Sequence, residues 1–185
     1  MIRIRPITSH DIEPVQQLAS DPTIAATANL PSPYPQNGAA DWHARVSKGI
    51  ADGRQVVFAI TAKDKLVGVM SLNAIDLDRG QCALDYWIGR PHWGHGYATR
   101  AAALAINYAK FVLGINRITS GCLKSNIGSK RVLEKSGFTF TSETDYQGPF
   151  KDRFGSSKIL HCVLDLNNAG AQQGGQPDAS GAGCP

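Results

Sequence analysis

An α/β domain with a mixed sheet is predicted by three features of this chain. Apolar patterns follow one another as strand, two helices, three strands, helix, strand, helix and two strands between residues 1 and 166. Short polar turns at Lys63 to Lys65 and at Asp76 to Gly80 fold the three consecutive strands into an antiparallel meander. The composition, 42% hydrophobic and 18% charged, supplies enough apolar mass for one packed core in a domain of ordinary size. The expected architecture is a mixed, mostly antiparallel sheet of about six to seven strands flanked by about four helices.

The elements read in order. "IRIRPIT" alternates like a short strand, with Ile2 and Ile4 on one face. "SHDIEPVQQLAS" follows as a helix with Ser9 or Asp11 at its N-cap. In "ATANLPSPYPQNG" the residues Pro31, Pro33 and Pro35 forbid helix and impose an extended loop. "AADWHARVSKGIADG" is helical and is closed by Gly53. "QVVFAITA", "KLVGVMSLNAI" and "QCALDYWIG" are the strands of the meander. Tyr97, Ala101, Leu104, Ala105, Tyr108, Phe111 and Val112 recur at helical spacing until Gly114. "INRITSGCL" is a strand. "SNIGSKRVLEKSG" is a short helix with Ser125 or Asn126 as N-cap and Gly137 at its end. "FTFTSETDY" and "SSKILHCVLDL" form a last pair, joined by a loop rich in Gly, Pro and aromatics. Residues 167–185 have almost nothing to bury and are expected to be disordered, which leaves one domain over residues 1–166.

Composition also excludes functions. The net charge of +4 is too small for a duplex-DNA surface, but the local excess at Lys124, Lys130, Arg131 and Lys135 suits one phosphorylated ligand. Cys82, Cys122, Cys162 and Cys184 are widely spaced, so neither a zinc site nor a disulfide framework is suggested. Three of them lie in strand-like runs and read as small buried hydrophobes, whereas Cys184 is expected to be exposed. No apolar run is long enough to cross a membrane, and the first residues do not read as a signal peptide, so a cytoplasmic location is the default.

The chemistry concentrates at "WGHGYAT", residues 93–99, where a strand passes into a helix. A helix start offers unpaired N–H groups and the positive end of the helix dipole, and glycines let a phosphate approach closely. A P-loop is excluded because GxxxxGK[ST] is missing. A dinucleotide fingerprint fits poorly, because the third small residue is out of register and no acidic residue ends the next strand. A tight turn without a ligand remains open on this motif alone. A second motif, "NIGSKRVLEKSGF", lies about 30 residues further on, after one helix and one strand. The pair resembles the GNAT superfamily of acyl-CoA-dependent N-acetyltransferases, and most closely its RimJ/RimL-like group of ribosomal-protein N-terminal acetyltransferases. "RIRPITSHDIEPVQQLASDP", "SPYPQNGAADW" and "YWIGRPHWGHGYATRAA" fit that group as well, so the resemblance covers roughly residues 2 to 166.

The resemblance implies a GNAT-type fold and a set of roles. Backbone amides of Gly94, His95, Gly96, Tyr97, Ala98 and Thr99 would hold the pyrophosphate of acetyl-CoA, with Trp93 standing where relatives carry Gln or Arg. "DYWIG" would run along the pantetheine arm beside a splayed parallel strand, and an N–H near Trp87 or Ile88 would polarise the thioester carbonyl. Asn126 matches the Asn that bonds pantetheine, and it is equally suited to capping its helix. Ser129 would protonate the departing thiolate, or else serve helix packing. Many relatives use a Tyr seven residues after the Asn; Leu133 stands there, and Tyr86 is a further candidate. Lys130 and Arg131 would reach the CoA phosphates, unless they are solvated helix charges. Relatives often carry a Glu at the position of Ala83, and Asp85, on the same face of the strand, is the candidate base, or else a structural or substrate-holding group. His92 and His95 receive no chemistry. Tyr34, Trp42, Tyr86, Tyr146 and Phe150 are candidate lining for the acceptor.

The expected activity is transfer of acetyl from acetyl-CoA to a primary amine in a ternary complex, without metal or covalent enzyme intermediate. The amine is a peptide or protein N-terminus or a small amine. The alternatives are a detoxifying acetyltransferase for polyamines, aminoglycosides or metabolites, and a CoA-binding sensor without turnover. Neither nucleic acid nor membrane is expected as a partner, and a homodimer is compatible with the resemblance.

Overall fold

The computed structural model describes residues 1–167, and the tail expected to be disordered, with Cys184, lies almost wholly outside them. Four strands lie side by side and antiparallel: β1 (Ile2–Pro6), β2 (Val56–Ala62), β3 (Lys65–Asp76) and β4 (Gln81–Ile88). β5 (Arg117–Leu123) joins β4 in parallel. The last two strands, β6 (Thr139–Asp145) and β7 (Lys158–Asp165), are antiparallel, and β7 lies between β5 and β6. The result is one open sheet in the order β1-β2-β3-β4-β5-β7-β6.

Among the described residues six helices, not four, accompany the sheet. They are α1 (Ile12–Ala19), α2 (Pro22–Ala25), α3 (Gly38–Ala51), α4 (Tyr97–Phe111), α5 (Ile127–Lys135) and α6 (Lys151–Phe154). The two unexpected ones, α2 and α6, are four residues each and too short to show a period. A local signal for α2 was nevertheless present. Pro22 takes the first helical position, and the Asp21 carboxylate accepts the Thr23 N–H at 2.9 Å.

The period of two along each strand sorts the core into two layers. Val57, Ala59 and Val69 point to the face covered by α1 and α3, where Val15, Ala39 and Val46 meet them. Phe58, Ile60, Met70, Leu72, Leu84 and Ile118 point to the opposite face, under α4 and α5. Ala101, Ala102, Ala105 and Ala109 form the inner stripe of α4 and are fully buried, so that helix lies close against the sheet. Cys82, Cys122 and Cys162 are buried free thiols.

The sheet is parted in its middle. β4 and β5 pair only at Gln81↔Arg117, Cys82↔Ile118 and Ala83↔Thr119. Where the ladder stops, Ser120 Oγ donates to the Leu84 carbonyl at 2.7 Å. Beyond that bond β4 follows β3 and β5 follows β7, and the two diverge.

One ion pair fixes the entry to α1. Arg5 binds the buried Asp11 carboxylate at 2.8 and 2.6 Å, and the Thr8 N–H adds a bond at 2.9 Å. Burial alone would push this carboxyl up; the guanidinium and the Thr8 donors outweigh it and hold Asp11 below its usual range. Asp11 thus turns back to Arg5 and Thr8 and makes no side-chain cap of α1. Arg5→Ala leaves a buried carboxylate short of its counter-charge and should cost about 2–3 kcal/mol, discounted because the arginine is partly exposed. A carboxyl held low contributes stability above its unfolded value near pH 4 and loses it as pH falls through the folded value. The difference between wild type and Arg5→Ala in urea denaturation is therefore largest at pH 7 and shrinks below about pH 4.

Candidate active site

The gap between β4 and β5 is edged by unpaired backbone. In an antiparallel ladder the backbone groups of successive residues turn to opposite neighbours. Gly89 donates to the Val67 carbonyl of β3 at 2.8 Å, which assigns the odd-numbered residues of β4 to β3. The even-numbered ones face β5, as the bond from Ser120 to the Leu84 carbonyl shows. Tyr86 and Ile88 therefore present their N–H groups to the gap, while the N–H of Trp87 belongs to the β3 ladder. Of the two residues expected to offer an N–H there, register selects Ile88. The Trp87 side chain instead packs against the α3-face cluster, as Trp42 and Tyr34 do.

At the mouth of the gap the chain turns into α4 through two left-handed glycines, Gly94 (φ +78°) and Gly96 (φ +71°). These conformations strain any residue with a Cβ, and the space where each Cβ would stand is open. Gly96 is the N-cap of a 15-residue helix and no side chain caps it, so the N–H groups of the first turn point outward unsatisfied. Trp93 folds back over this turn; its indole N–H donates to the Ile88 carbonyl at 2.6 Å, and Arg90 lies 4.7 Å from the ring centre. His95 turns its side chain aside, with Nδ1 2.8 Å from the Trp93 carbonyl and its ring stacked on Tyr97.

A cleft of about 1460 Å³ runs from this turn through the gap to the α3 face. It gathers Tyr34, Trp42, Asp85, Tyr86, Trp87, Ile88, Trp93, Gly94, Gly96, Tyr97, Ala98, Thr99, Asn126, Ser129, Arg131, Tyr146 and Phe150 from α3, β4, α4, α5 and the loops between elements. His95 and Lys130 are not among its walls. Lys130 leans along its helix toward Glu134 at 3.9 Å and lies 6.0 Å from the Phe140 ring.

On the α4/α5 face the gap is bordered by a hydroxyl pair. Ser129 Oγ, in the first turn of α5, is 2.8 Å from the phenol oxygen of Tyr86 on β4. Burial pushes the Tyr86 phenol well above its ordinary value, and the Ser129 bond offsets only part of that. Asn126 caps α5: its Oδ1 accepts the Ser129 N–H at 3.0 Å, and its Nδ2 donates to the Thr27 carbonyl at 3.3 Å. Leu133 is fully buried and has no access to the cleft wall.

On the opposite face stands a carboxylate. Asp85 is exposed to the cleft and accepts from Asn73 Nδ2 at 2.7 Å; the same amide donates to Ser71 Oγ at 2.9 Å. Ser71 sits directly across from Asp85 in the β3/β4 register, and Asn73 across from Ala83. These partners are not legible in the sequence, because the pairing offset of two strands is invisible in either one alone. Tyr86 and Asp85, adjacent in the chain, thus serve opposite faces of the same gap.

The roof over this half is the segment from Thr27 to Leu30, held from three sides. Arg153 donates to the carbonyls of Ala25 (2.8 Å) and Leu30 (2.7 Å) and stacks on Phe150 and Phe154. Tyr146 donates to Asn29 Oδ1 at 2.6 Å, and Asn126 holds Thr27. Tyr146 is buried, and its hydroxyl is engaged in this fastening. Arg153, the main clamp, is not legible in the sequence, because an arginine in a Gly/Pro loop carries no periodic signal.

A strand pair that opens beside a glycine-turned helix can admit a long, amide-rich cosubstrate with a phosphorylated end, as an acyl-CoA-dependent transferase requires. Residues 2–139 match the acetyltransferase (GNAT) domain family, and the chain belongs to that family. It is an N-acetyltransferase with the GNAT fold. An uncharacterised N-acetyltransferase of Bacillus licheniformis is 27% identical over 139 residues, covering 74% of this chain and 78% of its own. Spermidine N-acetyltransferase of Vibrio cholerae, solved with CoA and spermine, superimposes with a TM-score of 0.77 at 17% identity, over 90% of this chain and 96% of its own. Mycobacterium smegmatis RimJ, solved with CoA-disulfide, gives 0.78 at 16% identity, over 91% and 84%. These two likenesses concern the fold.

Proposed function

We propose that the protein transfers acetyl from acetyl-CoA directly to a primary amine that enters the gap from the α3 face. The observation that carries this is the opposition of Asp85 on one side of β4 to the Ser129–Tyr86 pair on the other. The cradle fits the cosubstrate: open glycine turn, unsatisfied N–H groups and an unpaired strand edge. The first turn of α4 binds pyrophosphate, and Arg131 adds charge from α5. The N–H of Ile88 donates to the thioester oxygen. Asp85 receives the acceptor's ammonium and takes its proton through water, so that the free amine can attack. The new C–N bond replaces the C–S bond. Ser129 gives its hydroxyl proton to the departing sulfur and recovers one through Tyr86, and the proton that the nitrogen sheds as the amide forms restores the phenol through water. Asn126 orients Ser129 by holding its N–H.

The test is thiol release from acetyl-CoA over a panel of amines: N-terminal peptides, amino acids, polyamines and aminoglycosides. Release that depends on one amine class, with acetyl-CoA bound in calorimetry, is expected. No heat with acetyl-CoA and no release with any amine would refute the proposal.

A further inference from the structure

Among the described residues the acceptor half of the cleft holds one cation, Arg45, and two carboxylates, Asp41 and Asp85, that form no ion pair with it. Arg45 on α3 and Asp85 on β4 both border it. Neither joins an ion pair among the described residues, although Asp41 stands one turn before Arg45. Asp41, Trp42, Arg45 and Val46 bring one stripe of α3 to the cleft, the spacing of a single helix face. Arg45 is near enough to the Tyr34 phenol for its charge to counter part of the upward push of burial there. A guanidinium and a phenol thus stand on one wall. The Asp85–Asn73–Ser71 cluster and the side chains of Val57, Val69, Trp42 and Trp87 line the same cleft.

Oppositely charged groups that share a cleft without pairing are matched by a ligand that carries both signs. A polyamine would set a cation against Arg45, and a simple amine would leave the guanidinium unused. We infer that the acceptor is an amine that also bears a carboxylate, an α-amino acid, with its ammonium at Asp85 and its carboxylate at Arg45 and Tyr34. This deepens the proposed function and rests on it, because it concerns the same acceptor half. The apolar and aromatic side chains that line the same cleft, Val57, Val69, Trp42 and Trp87, would take the amino acid's side chain. Arg45 forks two N–H donors at a carboxylate, which a lysine ammonium does only as a point charge.

The experiment compares free L-amino acids with their carboxamides as acceptors, in wild type, Arg45→Gln and Arg45→Lys, by kcat/KM. The intrinsic difference between the two amines cancels when the acid-to-amide ratios of two proteins are compared. The ratio should fall roughly tenfold in Arg45→Gln and only in part in Arg45→Lys. Circular dichroism of the variants separates this from loss of fold, and Arg45→Lys, with its charge kept, remains informative if Arg45→Gln is unstable. An unchanged ratio in a folded Arg45→Gln overturns the inference. So does turnover of peptides or polyamines with none of free amino acids, an outcome that leaves acetyl transfer itself standing. If no amine is acetylated and acetyl-CoA does not bind, both fall.

Discussion

Asp85→Asn should lower kcat/KM at neutral pH by about two orders of magnitude, the usual contribution of a positioned proton acceptor. The substitution keeps shape and hydrogen-bonding capacity, so Asn73 and Ser71 retain a partner and the fold is not at issue. What is lost is the charge that receives an ammonium and the base that relieves it of a proton. The loss should diminish as pH rises, because an amine that deprotonates in solution arrives ready to react. A pH profile of kcat/KM for the two proteins checks this. Parallel profiles would mean that Asp85 only holds the substrate. Equal rates at pH 7 would remove Asp85 from the reaction.

Ser129→Ala should lower kcat by roughly ten- to a hundredfold while acetyl-CoA affinity changes little. Tyr86→Phe should cost less, since Ser129 keeps its own proton, and the double variant should be no worse than Ser129→Ala. That non-additivity is the signature of two hydroxyls acting as one unit. Burial keeps the Tyr86 phenol protonated beyond the ordinary tyrosine range, so neither variant should alter an alkaline limb below about pH 10. Fully additive losses would show that the 2.8 Å bond is merely structural.

The strands and long helices were legible because each has a period and a stop signal. β2, β3 and β4 alternate between turns, and α3, α4 and α5 end just before Gly53, Gly114 and Gly137, all at positive φ. What escaped had no period: the single turns α2 and α6, and Arg153, which meets its carbonyl partners more than 100 residues away. The candidate site was legible where the backbone carries it, at Gly94, Gly96 and Asn126. It was less so where pairing decides. Which β4 N–H faces the gap, and what faces Asp85, depend on a register between strands that neither strand encodes alone. Parity did separate Asp85 from Tyr86, but only the folded sheet shows what packs against each face.

The parted sheet also bears on how this molecule comes apart. β1 to β4 make one leaf and β5 to β7 another, bound to each other along their shared edge by three residue pairs. On the α3 face the apolar cluster draws on the first leaf's strands alone; on the other face one core, with the alanine stripe of α4, spans both. α4 is thus the spine of a two-leaved book. A cosubstrate that pairs with both inner edges acts as its clasp, adding its binding energy to the weakest seam in the sheet.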